Sequence, residues 1–519
     1  MLVSVPRAQF AAAQGPALSL RVLIVLVAVK LLLHLPSLFR YGYFRDELYF
    51  LDCGRNLAFG YVDHAPLVGL YAKIALLLGG SLPALRFMPA LAGAGLVVLT
   101  VLITRRLGGG AWAQALAGLT VIIAPVNLMI NSILSMNAFE PLFWVGAVLV
   151  LLRLAQGADP RLWLLFGALL GLGLLNKHST VFFGLAVAVA ILLTPLRREL
   201  GRPWIWLAAG VALLLFLPNL IWQWQSGFPT LEDLRNVRET GKNVALAPLA
   251  FLAEQVLIMH PLTFPVWAAG LASLLVGRAR KFRAAGIIYL VLLGIMMALK
   301  GKSYYLAPAY PMLLAAGAVA WEHVLKGPGR LLRGARVGVF GLLIFAGTLF
   351  APLFLPLLEP SRLVAYQGRL GMRPGKTEVA HIGPLPQLWG DQFGWPELVA
   401  DVARIYHALP AEERARTGIF ASNYGEAGAI NLFGPALGLP PAICAHQTHW
   451  LWGPPAEEPE TYIWLQWSRK ALERGFDSVV QAGEHHHPWG MAEENRPIFL
   501  CREPRMTLRE AWPQLKHWN

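Results

Sequence analysis

Eleven apolar runs, each close to the roughly 20 residues that a membrane-crossing helix needs, leave the chain few folds to choose from. They lie near 19–39, 84–104, 111–130, 133–152, 162–176, 179–196, 204–222, 246–276, 284–299, 304–325 and 337–358. With 56% hydrophobic residues, 14% charged residues and a mean hydropathy of +0.52, the first two thirds of the 519-residue chain reads as a polytopic helical membrane protein. The run from Leu18 to Leu38 lacks a clear small-x-small cleavage site and contains Lys30 and His34, so it is read as an uncleaved first span.

The net charge of +14 is distributed as topology signals rather than as a nucleic-acid face. Arg105 and Arg106; Arg153 and Arg161; Arg197, Arg198 and Arg202; Arg278, Arg280, Lys281 and Arg283; and Lys326, Arg330, Arg333 and Arg336 occupy every second connection. Together with Arg7 and Arg21 they put the N-terminus in the cytoplasm under the positive-inside rule. The remaining connections and everything after residue 359 then lie outside.

That topology gathers the unusual polar residues on one side. Asp46, Glu47, Asp63 and His64 fall in a first outer loop, 40–83, whose stretch Leu67 to Leu78 is too short to span and suits an interfacial helix. Asn137 and Glu140, Lys177 and His178, and Lys300, Lys302, Tyr304 and Tyr305 fall at the same face. The cytoplasmic connections carry no Gly-rich phosphate loop and no room for a nucleotide-binding domain, which argues against a soluble activated donor.

Beyond Pro360 the composition turns polar. "GWPELVADVARIYHALP", "GEAGAINLFG" and "RKALERGFDSVVQAG" read as helices, while "TGIFASNY", "TYIWLQW" and "RPIFLCREP" read as strands, which predicts a small α/β domain over 360–519 outside the membrane. Adjacent residues point apart, so His485, His486 and His487 are read as structural or solvated rather than as metal ligands. Cys444 and Cys501 are candidates for a disulfide, which spacing alone does not establish.

A carboxylate that accepts a hydroxyl proton, beside cations that neutralise a phosphate at a low-dielectric membrane edge, suits group transfer from a lipid phosphate. The residues that carry this chemistry also carry a resemblance. "DELYFLDCGRNLAFGYVDHAPL", "SMNAFEPLFW", "LLNKHST", "KGKSYYLAPAYP", "DQFGWPEL" and "NYGEAGAINLFG" resemble the bacterial glycosyltransferase family 39 proteins over about residues 20–500. That family belongs to the GT-C membrane glycosyltransferases, with the protein O-mannosyltransferases and the aminoarabinose transferases. The resemblance implies 11–13 transmembrane helices, with 1–359 the catalytic membrane domain. It also implies an inverting transferase that uses a polyprenyl-phosphate sugar, with a lipid, glycan or protein hydroxyl as acceptor. A protein O-mannosyltransferase, and a transporter or flippase of lipid-linked saccharides, are the rival readings.

By the same resemblance Asp46 is the expected general base, with Glu47 second. Lys177, Arg55, His64, Lys302, Tyr304 and Tyr305 are donor-phosphate candidates, and Asp63, Asn137, Glu140 and His178 are substrate-binding candidates. Asp63 and His64 are also the candidates for a divalent cation. The chain departs from the family pattern where Ala65 replaces a proline, His64 a lysine and Asn137 an aspartate; Glu140 is the residue that can restore the charge. Plainer readings stand beside these: headgroup contacts for Asp46 and Glu47, a local loop pair for Asp63 and His64, a snorkelling anchor for Lys177, and interfacial anchors for Arg55 and Arg86, either of which could instead pair with these acids or with phosphate.

Overall fold

The computed structural model describes residues 16–372, 375–376, 378–379, 381 and 383–518; Arg7, used above for topology, lies outside them. Every apolar run is helical, and the chain is a multi-pass membrane protein. Among the described residues six helices are long and apolar enough to cross a bilayer: α1 (Leu20–Phe39), Leu82–Arg106, Met136–Ala155, Pro203–Gln225, Arg280–Ala298 and Arg330–Phe354. Two bent pairs raise the number to eight: Thr180–Leu192 with Pro195–Gly201, turned by 100°, and Pro248–Ile258 with Pro261–Leu275, turned by 91°.

This is fewer than the 11–13 expected, and proline accounts for the breaks. The second arm of each bent pair opens on a proline, Pro195 or Pro261, and Pro125 likewise divides the run 111–130 into Ala111–Ile123 and Pro125–Ile130. A proline lacks the amide hydrogen a continuous helix requires and disfavours helical geometry in the residue before it. Many of the spanning helices bury little of their surface: Pro203–Gln225 shows Trp206, Leu213, Leu214 and Trp224 outward, as a lipid-facing helix does.

The segment 40–83 is more ordered than a loop. It contains α2 (Arg45–Arg55) and α3 (Leu67–Leu77), which pack on each other, and the latter is the short helix expected there. Asp46 and Glu47 therefore sit in the first turn of α2, where Glu47 accepts the Phe44 amide at 2.8 Å.

The C-terminal domain holds a five-stranded sheet of β1 (Thr417–Ala421), β2 (Ala442–Cys444), β3 (Thr461–Leu465), β4 (Phe476–Glu484) and β5 (Pro497–Pro504), in the order β2-β1-β3-β5-β4. The first three are parallel, and β5 runs antiparallel to both β3 and β4. Two sequence expectations are corrected. "RKALERGFDSVVQAG" is helical only over Arg469–Gly475; the chain then becomes β4, where pairing with β5 and the β-branched Val479 and Val480 override the helical pattern. Cys444 and Cys501 are free buried thiols, because β1 and β3 lie between β2 and β5. In the histidine run, His485 meets Asp401 at 2.9 Å and the His487 ring accepts the Gly490 amide at 3.0 Å, so both serve the local fold.

The helix Tyr424–Phe433, which leaves the carboxyl end of β1, lies along α2 in parallel register. Contact runs from Arg45 beside Gly425, through Leu48 beside Gly428, to Asp52 bonded by Asn431 at 2.8 Å. A Cβ at position 428 would stand 2.6 Å from the Leu48 carbonyl carbon. Gly428→Ala is therefore expected to force the two helices apart at a cost of about 1–3 kcal/mol, read as a lower thermal midpoint of the purified chain; an unchanged midpoint would show that the backbones yield without cost.

Candidate active site

Asp46 lies where α2 begins, with its side chain 35% exposed, and the C-terminal domain reaches it directly: the Tyr424 hydroxyl donates to Asp46 Oδ1 at 2.9 Å. Its neighbour Arg45 lies 3.8 Å from the same carboxylate and also faces Glu378 at 3.4 Å and Asp391 at 3.9 Å. Burial pushes the Glu378 carboxyl up, but the charges of Arg45, Lys242 and Lys302 outweigh it and hold the group below its usual range. Asp391 is pushed the other way, well up, because burial dominates Arg45.

Glu47 points elsewhere. It is fully buried, takes a bidentate bond from Arg86 at 3.1 and 2.9 Å and accepts the Leu134 amide at 2.8 Å. A carboxylate so saturated fixes the loop geometry and has no open lone pair toward a substrate. Arg86 is thus an acid partner, and Arg55, a donor-phosphate candidate, bonds Asp52 at 2.6 Å while His449 meets the other Asp52 oxygen at 3.1 Å. Nine residues separate Arg55 from Asp46, roughly 14 Å of helix.

Asp63 accepts from the Tyr49 hydroxyl at 2.9 Å, and its oxygen stands 3.8 Å from His64 Nε2. Burial pushes the His64 ring down to about 4, so it is a neutral imidazole at physiological pH and brings no positive charge to a phosphate. Burial pushes Asp63 up to about 6, and Asp233 likewise, with the charge of Asp63 adding to the effect on Asp233. Among the described residues no three His, Cys, Asp or Glu side chains converge as metal ligands do; Asp63 and His64 stand as a pair.

A second grouping forms around Lys177, which caps the end of the Leu162–Asn176 helix. Its ammonium donates to Asn137 Oδ1 at 2.8 Å and Glu140 Oε2 at 3.0 Å, and lies 4.1 Å from the Tyr305 ring centre and 5.9 Å from that of Tyr304. Ser179 donates to the other Glu140 oxygen. Residues from three separate sequence stretches thus meet at one cation. His178, next in the chain, turns to Asn219 at 3.1 Å, and Asn219 donates to the Phe59 carbonyl at 2.7 Å. Tyr304 sits between the groupings, within electrostatic reach of Asp46 and Glu378, while Lys302 acts on Glu378.

Lys242, Asp233, Glu378, Asp391 and Tyr424 are additions that sequence reasoning missed. Tyr424 falls inside the quoted stretch "NYGEAGAINLFG", but 378 positions separate it from Asp46, and nothing local marks it as part of the same site. Lys242 and Glu378 come from irregular segments that pair through an isolated bridge, Asn243 to Glu378, with no periodicity to announce them.

Spanning helices, a charged loop helix packed among them and a small sheet domain seated on that helix make up the architecture that the sequence resemblance led us to expect. Residues 63–222 match the family model described as dolichyl-phosphate-mannose-protein mannosyltransferase, a span that contains Asn137, Glu140 and Lys177 but not Asp46, Tyr304 or Tyr305. No curated protein matches the chain. Among solved structures the fold is similar to ArnT from Cupriavidus metallidurans bound to undecaprenyl phosphate, with a TM-score of 0.61 and 16% identity over 92% of this chain and 97% of that one. The apo state of the same protein is similar at a TM-score of 0.59, again at 16% identity over 92% and 97% of the two chains.

Because Asp63 is raised from 3.8 to about 6, the folded chain holds a proton there that the unfolded chain has released. The stability this site contributes is complete below about pH 4 and is lost as pH rises through about 6. Asp63→Asn is expected to flatten the fall in thermal midpoint between those values, leaving the part due to Asp233; an unchanged slope would place the titration elsewhere.

Proposed function

We propose that this chain transfers a sugar from a polyprenyl-phosphate donor to a hydroxyl of a lipid, glycan or protein acceptor, with inversion, at the periplasmic face of a bacterial inner membrane. The observation that carries the reading is the pairing of a half-open carboxylate, Asp46, with a separate cation centre, Lys177, on the same side of the helix bundle. The acceptor oxygen forms a bond to the anomeric carbon as the bond from that carbon to the phosphate oxygen breaks. Asp46 takes the hydroxyl proton, and polyprenyl phosphate leaves with both electrons of the broken bond. Phosphate is a competent leaving group, so one base suffices where a glycosidase needs a second, acidic carboxyl.

Lys177 takes the donor phosphate, with Tyr304 and Tyr305 covering its ammonium and Lys302 adding positive charge; Asn137, Glu140 and His178 face the sugar. Glu140 supplies the anion that Asn137 lacks and holds the ammonium in place, as a buried charge in a membrane protein requires. Asp63 lies beside the Tyr49 hydroxyl as a substrate contact, and the neutral His64 serves only as a loop partner or a ligand to a divalent cation shared with Asp63. The fold similarity to a protein whose solved structure contains undecaprenyl phosphate supports the donor class. The alternating basic connections support the orientation. We place the division between membrane and periplasmic domains at residue 359, where Pro360 opens a new helix after the last span.

Release of undecaprenyl phosphate from a panel of synthetic undecaprenyl-phosphate sugars, with a cell-envelope extract as acceptor, tests both assignments. Asp46→Asn is expected to lower turnover by about 10²–10⁴ with the thermal midpoint kept, and retained turnover would remove Asp46 from the role of base. Lys177→Gln is expected to weaken binding of undecaprenyl phosphate by about tenfold, the worth of one charge-assisted bond; equal affinity in the folded variant would move the phosphate site elsewhere.

A further inference from the structure

Asp46 has two carboxylate oxygens, and the C-terminal domain occupies one of them. The Tyr424 hydroxyl donates to Oδ1 at 2.9 Å. Little freedom is left to that tyrosine. Its ring is stacked on Tyr49 at 4.8 Å and 27° and on His446 at 4.8 Å and 21°, and His446 is itself stacked on His517 at 4.6 Å. The Arg45 guanidinium lies 5.6 Å from the ring centre. Below the ring, Tyr424 is the first residue of a capped helix: Asn423 Oδ1 accepts the Gly425 amide at 2.9 Å and the Glu426 amide at 3.0 Å. The Tyr424 amide in turn donates to His446 Nδ1 at 3.3 Å.

A carboxylate on a short side chain swings about two torsions unless something holds it, and misplacement of a base by an ångström is costly in rate. We infer that Tyr424 is a positioning residue for Asp46: its hydroxyl fixes Oδ1, so that Oδ2 is the oxygen presented to the acceptor hydroxyl. The inference rests on the reading of Asp46 as the base. It makes the C-terminal domain a component of the reacting centre rather than a platform beside it. Arg45, bonded on its far side to Glu378, closes the same corner, so the base is held by one group from its own helix and one from the other domain.

Tyr424→Phe separates this role from packing, because phenylalanine keeps the ring stack and removes only the hydroxyl. Two measurements on the full-length purified chain decide it. In infrared difference spectra, a carboxylate band present in the native protein and absent from Asp46→Asn is expected to shift in Tyr424→Phe. In the undecaprenyl-phosphate sugar assay, Tyr424→Phe is expected to lower kcat about tenfold with donor KM unchanged. The acid limb of its pH–rate profile is expected to move to higher pH, since an O–H donor favours the charged form of a carboxylate. An unshifted band, or kcat and profile equal to the native protein's, overturns the inference. Retained turnover in Asp46→Asn overturns the base assignment instead, and the infrared result then shows whether the hydrogen bond exists without a catalytic use.

Discussion

One buried ion pair holds the site end of this molecule together. Arg86, 1% exposed, spends its donors on Glu47, on the carbonyls of Ser37 at 2.9 Å and Gly42 at 2.7 Å, and on the Gln392 side chain at 3.1 Å. Glu47 answers with the amides of Phe44 and Leu134. The pair thereby ties the end of α1, the turn into α2, the helix Leu82–Arg106, the approach to Met136–Ala155 and the C-terminal domain. Breaking such a pair by removing one partner typically costs about 3–5 kcal/mol, because the other charge is left without a counterpart away from water. The fully bonded state avoids that penalty, and Asp46 inherits its place from it, since it is the residue next to Glu47 in the same helical turn.

Around that node the charges are sorted by what they neighbour. Lys177 is enclosed by an acid, an amide and two aromatic rings, a setting that keeps an ammonium in place while leaving it polar contacts to exchange. Arg45 faces three carboxylates, of which Asp391 is the most deeply buried. The acidic side is richer in carboxylates than in cations, and burial keeps Asp63 and Asp233 protonated further toward neutrality than free carboxyls. An arrangement of this kind separates a carboxylate-rich corner from a cation centre, the division of labour on which the proposed transfer from a phosphate ester rests.

Much of the frame was legible in the sequence, for reasons that differ by element. Apolar runs and alternating basic connections reveal helices and their order because the bilayer imposes one length and one charge rule. Asn137, Glu140 and Lys177 were legible as a set because each polar group interrupts an apolar run at the same face. The span count was not, since Pro125 divides the run 111–130 and the helices within 162–176 and 304–325 are each only 15 residues long. The different settings of Glu47 and Asp46 were not legible, because adjacent residues of a helix point about 100° apart and the partner of Glu47, Arg86, lies 39 positions away. Tyr424, Glu378 and Lys242 were invisible, since each belongs to a segment whose local pattern says nothing of the partner across the molecule.

The sheet order gives the C-terminal domain a further meaning. In β2-β1-β3 the chain leaves β1 toward one side and β3 toward the other, so their carboxyl ends flank a topological switch point, the place where open parallel sheets ordinarily hold a small ligand. Here the helix that starts at that edge is laid along α2, with Gly425 and Gly428 allowing backbone-close contact. The domain therefore treats a helix of its own chain as its cargo. Because that cargo is tethered, its effective concentration is high and no free molecule need be captured. The edge at which such sheets elsewhere receive a diffusing molecule is here where a helix starts that is bound to another part of the same chain.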